Sequence, residues 1–129
     1  MISKEITLCG KKLTLGYCFA TEIGFKTIAD CDIEQFIVEV AQMFNSDAPV
    51  VPDMKKCLSL IHASALAYYE QQKQDVPISI EEMMYQLKPQ ELGAALATVL
   101  QLRGEFYHVP SDEPDDKPKD GDDDKPKNA

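Results

Sequence analysis

The sequence predicts a mostly α fold: an N-terminal β-hairpin packed on a compact bundle of about five helices, followed by a disordered acidic tail. Three observations predict it. Apolar and polar residues alternate with period two through residues 5–17. Between Thr21 and Gly104 apolar residues recur at helical spacing, punctuated by capping signals. Residues 110–128 then contain only Pro, Ser, Asp, Glu, Lys, Gly and Asn, none of which anchors a core. A chain of 129 residues suits one ordinary domain. The organisation read from it is a hairpin plus helical domain at 1–109 and a low-complexity tail at 110–129.

In the hairpin, Gly10-Lys11 suits a two-residue type II′ turn, which sets Cys9 opposite Lys12, Leu8 opposite Leu13 and Ile6 opposite Leu15. The leucines then share one face and Thr7 and Thr14 the other. An isolated hairpin is marginal in water, so something apolar must cover that face. A short helix is expected from about Thr21 to Ala29, with Ile23, Phe25 and Ile28 as its apolar members. Asp32 with Gln35 has the form of a capping box. Ile33, Phe36, Ile37, Val40 and Phe44 then repeat along one helical face until Asn45-Ser-Asp-Ala-Pro stops it. Pro49 to Pro52 read as a stiff extended link.

Asp53 suits the N-cap of the next helix, which runs to about Gln72. Its apolar residues (Met54, Cys57, Leu58, Leu60, Ile61, Leu66 and Tyr68 among them) spread over more than one face, as in a central buried helix. Ser79 and Glu82 form a second capping box, with Ile78 placed to staple against Met83. That short helix carries Ile80, Met83, Met84 and Leu87. Pro89 suits the first turn of a last helix with the stripe Leu92, Ala95, Leu96 and Val99, expected to stop near Gly104.

The formal net charge is −9, of which the tail from Pro110 to Ala129 carries −4 and residues 1–109 carry −5. Asp115-Asp-Lys-Pro-Lys recurs as Asp123-Asp-Lys-Pro-Lys, a short repeat that cannot offset its own chain entropy by burial. This balance argues against a nucleic-acid partner, whose phosphates are held mainly by Lys and Arg. It also argues against a membrane surface, which attracts polybasic segments. No apolar stretch approaches the roughly 20 residues that span a bilayer, and Met1-Ile-Ser-Lys-Glu-Ile turns charged too soon for a signal peptide. The expected location is therefore the cytoplasm. Cys9, Cys18, Cys31 and Cys57 contain no CxxC, and reduced, buried thiols are expected.

Catalytic signals are sparse. There is no GxxxxGK[ST], GxGxxG or GxSxG. His62 follows Cys57 by five positions, which turns the two side chains apart on a helix, and the scattered cysteines lack zinc spacing. His108 reads as a loop residue. Asp30 and Asp32 suit helix capping. Asp120-Gly-Asp-Asp-Asp lacks the Gly and the closing Glu of a calcium loop. No catalytic residue, cofactor or metal site is expected, and the chain reads as a non-enzyme. What remains are surfaces. Tyr68-Tyr69 close the central helix and Phe106-Tyr107 follow the last one. One ring of each pair is expected to complete the core, and the four residues are the candidate partner-binding anchors.

The order Ile6-Thr-Leu-Cys-Gly-Lys-Lys-Leu-Thr-Leu, then Phe19-Ala-Thr-Glu-Ile-Gly-Phe, then a helix beginning Asp32-Ile-Glu-Gln-Phe, with a polar low-complexity C-terminus, resembles the phage tail assembly chaperone families. The likeness is one of pattern over about residues 5–108. It implies a non-catalytic protein of the bacterial host cytoplasm that binds the long tape-measure protein, keeps it soluble and helps recruit tail-tube subunits. Several copies would cover one tape-measure chain, with self-association as a further expectation. It also implies a longer product made by ribosomal slippage, and Pro126-Lys127-Asn128 is a sequence that a slippery heptamer could encode. The rival reading is an acidic helical adaptor or regulator from a phage or mobile element, such as a head–tail connector or an inhibitor.

Overall fold

The computed structural model describes residues 1–43 and 53–108. Phe44, the Asn45–Pro49 stop, the Pro49–Pro52 link and the acidic tail lie outside the described residues. The elements follow in the order β1 (Ile2–Leu8), β2 (Lys11–Tyr17), α1 (Phe19–Ala29), α2 (Ile33–Met43), α3 (Met54–Gln71), α4 (Ile80–Gln86) and α5 (Pro89–Tyr107). This is the mostly α class with an N-terminal hairpin that the sequence predicts.

The hairpin faces are as expected, but its register is not. The strands pair Ile6 with Leu13, Leu8 with Lys11 and Ile2 with Tyr17, two residues from the predicted alignment. The turn is Cys9-Gly10, with φ of 52° and 76°, where a Gly10-Lys11 turn was expected. Positive φ at both central residues is the signature of a type I′ turn. Tertiary bonds select it: the Cys9 N–H donates to Glu91 Oε2 at 3.1 Å, and Lys11 Nζ reaches Glu82 Oε2 at 2.9 Å. A shift of two preserves side-chain alternation, so Leu8, Leu13, Leu15 and Tyr17 are all buried. Gly10 has open space where a Cβ would sit, so only its backbone angle resists substitution. Gly10→Ala is therefore expected to cost about 1–2 kcal/mol, measured as a lowered urea midpoint with an unchanged m-value.

α3 forms the middle of the molecule, packing against α1, β2, α4 and α5, while α5 also covers both strands. Its buried set includes Cys57, Leu58, Leu60 and Ile61, together with Ser59, Ala63, Ser64, Ala65 and Ala67. The small residues let other backbones come close. Gly24 of α1 lies over Ala63, where an added Cβ would meet the Ala63 Cβ at 3.7 Å. The two buried hydroxyls nearest the hairpin are satisfied together: Thr21 Oγ1 and Ser64 Oγ both donate to the Gly16 carbonyl, at 3.0 and 2.8 Å. α1, α3 and β2 are thereby joined at one peptide group.

The caps at Asp53 and Ser79 form as the sequence predicts. Asp53 Oδ1 accepts from the Lys56 N–H, and Ser79 and Glu82 exchange side-chain to backbone bonds. Pro89 opens α5. Three expectations are corrected. α1 begins at Phe19, two residues early, because Thr21 Oγ1 accepts the Cys18 N–H and caps from inside the first turn. Among the described residues no side-chain bond joins Asp32 to Gln35; the Asp32 carboxylate pairs with Lys26 Nζ at 2.9 Å instead. α5 passes Gly104 and continues to Tyr107. Gly in a helix interior costs about 1 kcal/mol, which the packing of Phe106 against Tyr17 and Phe19 offsets. All four cysteines are free thiols as expected, but only Cys57 is buried and the other three are half-buried.

Candidate functional site

The end of β2, the start of α1 and the last turn of α5 meet in an aromatic cluster. Phe106 lies at its base, with ring centroids 5.6 Å from Tyr17 and 5.2 Å from Phe19, the latter edge to face. Tyr17 is fully buried, whereas Phe19 is 61% and Tyr107 45% exposed. One helical turn from Phe19, Ile23 is 67% exposed. The buried Tyr17 ring and the half-buried Phe106 ring thus support an apolar face that water still reaches.

A polar brace fixes that face. Glu22 Oε2 accepts from the Tyr17 hydroxyl at 2.8 Å and from the Tyr107 hydroxyl at 2.6 Å. Arg103 Nε stands 4.0 Å from the same oxygen, its Nη2 reaches Glu34 of α2 at 3.4 Å, and its guanidinium lies 5.0 Å over the Tyr107 ring. Burial, followed by the bond to Glu22, pushes the Tyr17 phenol far above its ordinary range. The bond to Glu22 comes first in raising Tyr107. Both phenols therefore stay protonated and donate to the carboxylate. Beside this brace a cavity of about 380 Å³ lies between α1 and α2, lined by Glu22, Ile23, Lys26, Asp32, Ile33 and Glu34.

The four predicted anchors do not form one patch. The Tyr69 hydroxyl accepts the Thr14 N–H at 3.1 Å and its ring packs against the core, so Tyr69 helps hold the hairpin down. Tyr68 is half-buried, stacked edge to face on Tyr69, and its Cβ flanks Gly16. Phe106 and Tyr107 belong to the other cluster and lie within α5 rather than after it. The sequence reading missed Phe19 and counted Ile23 among the apolar members of α1. Helical spacing carries the signal: Thr21, Phe25 and Ile28 share one face, which turns Ile23 to the opposite one.

Two further reactive groups, Cys57 and His62, lie on α3. Burial, reinforced by Asp53 and Glu39, pushes the Cys57 thiol up to about 11, away from the thiolate a nucleophile requires. Among the described residues no three His, Cys, Asp or Glu side chains come together as a metal set. His62 is half-buried on α3, and its buried Nδ1 has no hydrogen-bond partner among the described residues. Burial holds its pKa below the ordinary 6.5. The unfolded chain then binds the proton more readily than the folded one. Stability is expected to be full above pH 6.5 and to fall as the pH drops below it. Urea midpoints compared at about pH 7.5 and 5.5 measure this, and His62→Gln flattens the difference.

No family model, curated protein or solved structure matches this chain.

Proposed function

We propose that this chain is a non-catalytic tail assembly chaperone of a phage or prophage, which binds the tape-measure protein in the bacterial host cytoplasm and assists recruitment of tail-tube subunits. The observation that carries the reading is the apolar face of Phe19, Ile23 and Tyr107, exposed yet set on the half-buried Phe106 and the buried Tyr17. A long tape-measure chain presents apolar helical stripes, and a rigid face with aromatic anchors covers such stripes with little entropy lost. The hairpin-then-helices order is the one that the resemblance to those families implies. No helix among the described residues is long and apolar enough to cross a membrane. The acidic tail would keep each complex soluble by like-charge repulsion.

The test is co-expression with fragments of a phage tape-measure protein, followed by co-purification. Phe19→Asp combined with Ile23→Asp is expected to abolish capture while leaving the circular dichroism spectrum intact, since both side chains are more than half exposed. Deleting residues 110–129 is expected to preserve capture and lower the solubility of the complex. Capture unaffected by the double variant, or no fragment captured by the unaltered chain, rejects the proposal.

A further inference from the structure

The apolar face of Phe19, Ile23 and Tyr107 runs into the cleft between α1 and α2. Ile23 and Glu22 line that cleft together with Lys26, Asp32, Ile33 and Glu34, around a volume of about 380 Å³. Its apolar lining is the exposed Ile23 and the buried Ile33. Its polar lining is three carboxylates and one lysine. The Asp32 and Glu34 side chains are 67% and 80% exposed, so both carboxylates stand at the rim. Arg103 faces Glu22 and Glu34 from α5, and Asp30 caps the C-terminal end of α1.

The sign of the field over this face follows from a complete count of side-chain charge. A hydrogen bond from a neutral group leaves a carboxylate charged, so Glu22 counts in full despite its two phenols. Glu22, Asp30, Asp32 and Glu34 stand against Lys26 and Arg103, a net of −2. The other charges on α1, α2 and the last two turns of α5 are Glu39 and Glu105, both negative. The rest of the described residues hold seven carboxylates and seven lysines, and so no net charge. The negative excess of the described residues therefore lies on the elements that carry this face. The chain leaves α5 at Tyr107, beside the face, and residues 110–129 carry a further −4. A second copy would bring the same negative surface, and the tail is itself negative, so like charge opposes both as occupants. An apolar stripe flanked by cations complements the face in shape and in sign.

We propose that the Phe19, Ile23 and Tyr107 face, with the α1–α2 cleft, binds an amphipathic helix of a partner protein whose apolar stripe is flanked by Lys or Arg. The inference rests on the reading of this face as the partner site, and adds the chemistry of the segment it takes. An apolar side chain of the helix enters the cleft over Ile33, and its cations lie over Asp32 and Glu34. The carboxylates set preference and association rate, and the aromatic face supplies the buried area.

The experiment uses the full chain labelled with ¹⁵N. The probe is a synthetic peptide of about five helical turns, with leucines at every third or fourth position and lysines beside them. A second peptide carries glutamate at each lysine position. The lysine peptide is expected to bind about tenfold more tightly at about 0.1 M salt, and the gap should close at about 1 M. Amide shifts should fall in residues 19–34 and 103–108. Phe19→Ser with Ile23→Ser leaves every charge in place and should weaken lysine-peptide binding about tenfold or more. Asp32→Asn with Glu34→Gln brings the charge counted around the cleft to zero and should remove the preference. Equal affinity for the two peptides, or no binding of either, overturns the proposal. So does a preference that survives Asp32→Asn with Glu34→Gln, or binding insensitive to the serine pair, since either assigns the lysine peptide to the tail or to another surface. Co-purification with tape-measure fragments reads the function separately. A lysine-peptide preference with no fragment captured rejects the chaperone and keeps this inference; captured fragments without the preference do the reverse.

Discussion

Phe36→Ala is expected to cost about 3–5 kcal/mol, the range for emptying a fully buried aromatic site, and to release α2 before the rest of the molecule. α2 reaches the core through Ile33, Phe36 and Val40, spaced so that all three fall on one face. Phe36 is the largest of them and stacks on Phe25 of α1, with centroids 5.3 Å apart and planes at 26°. The other ties of this helix are weak. Lys26 to Asp32 is an exposed ion pair, and Arg103 meets Glu34 across solvent, with the Glu34 side chain 80% exposed. Such pairs contribute about 0–1 kcal/mol each. Truncation at Phe36 removes both the buried area and the aromatic stacking, and leaves Phe25 facing a void. Amide exchange should accelerate first in residues 33–43, while α3 and α5 keep their protection. Phe36→Leu, which refills most of the space, should recover more than half of the loss. A cost below about 1 kcal/mol would show that α2 is not held by this contact.

Glu22→Ala is expected to destabilise by about 2–3 kcal/mol. One carboxylate oxygen accepts from two phenols and faces a guanidinium. Removing it leaves the hydroxyl of the fully buried Tyr17 without an acceptor, and an unpaired buried donor costs more than the net worth of the bond it made. Tyr107 and Arg103 can turn to water, so their share is small. Tyr17→Phe removes the donor instead of the acceptor and should cost only about 1 kcal/mol. In the double variant the two costs should not add, since the orphaned hydroxyl is absent. Additive costs in urea unfolding would mean that Tyr17 and Glu22 are not coupled.

What was legible in the sequence is what local chemistry decides. The caps at Asp53 and Ser79, the opening of α5 at Pro89 and the buried stripe of α2 each depend on residues a few positions apart. The hairpin faces were legible for the same reason, because a period of two survives a shift of two. The register was not, since it depends on Glu91 and Glu82, which join the turn only after α4 and α5 have packed. Gly104 carries the local mark of a helix end, and only the docking of Phe106 on Tyr17 and Phe19 overrides it. The candidate site shows the same division. Aromatic doublets at Tyr68-Tyr69 and Phe106-Tyr107 are visible in one dimension. Their division into a ring that holds the hairpin through Thr14 and rings that frame α1 is set by the fold.

The hairpin precedes in the chain every helix that covers it, and this order matters during synthesis. Leu8, Leu13, Leu15 and Tyr17 are translated first, but their cover comes from α3 and α5, which end at Gln71 and Tyr107. At ribosomal rates of about 5–20 residues per second, the apolar face of the hairpin waits some seconds for its last wall. Both joints that close it, the Ser64 bond to Gly16 and the Glu91 bond to Cys9, span long loops. The nascent chain therefore passes through a stage in which a bare strand pair is exposed beside the ribosome, and variants that slow docking of α5 should be lost as aggregates before they are lost as unstable native protein.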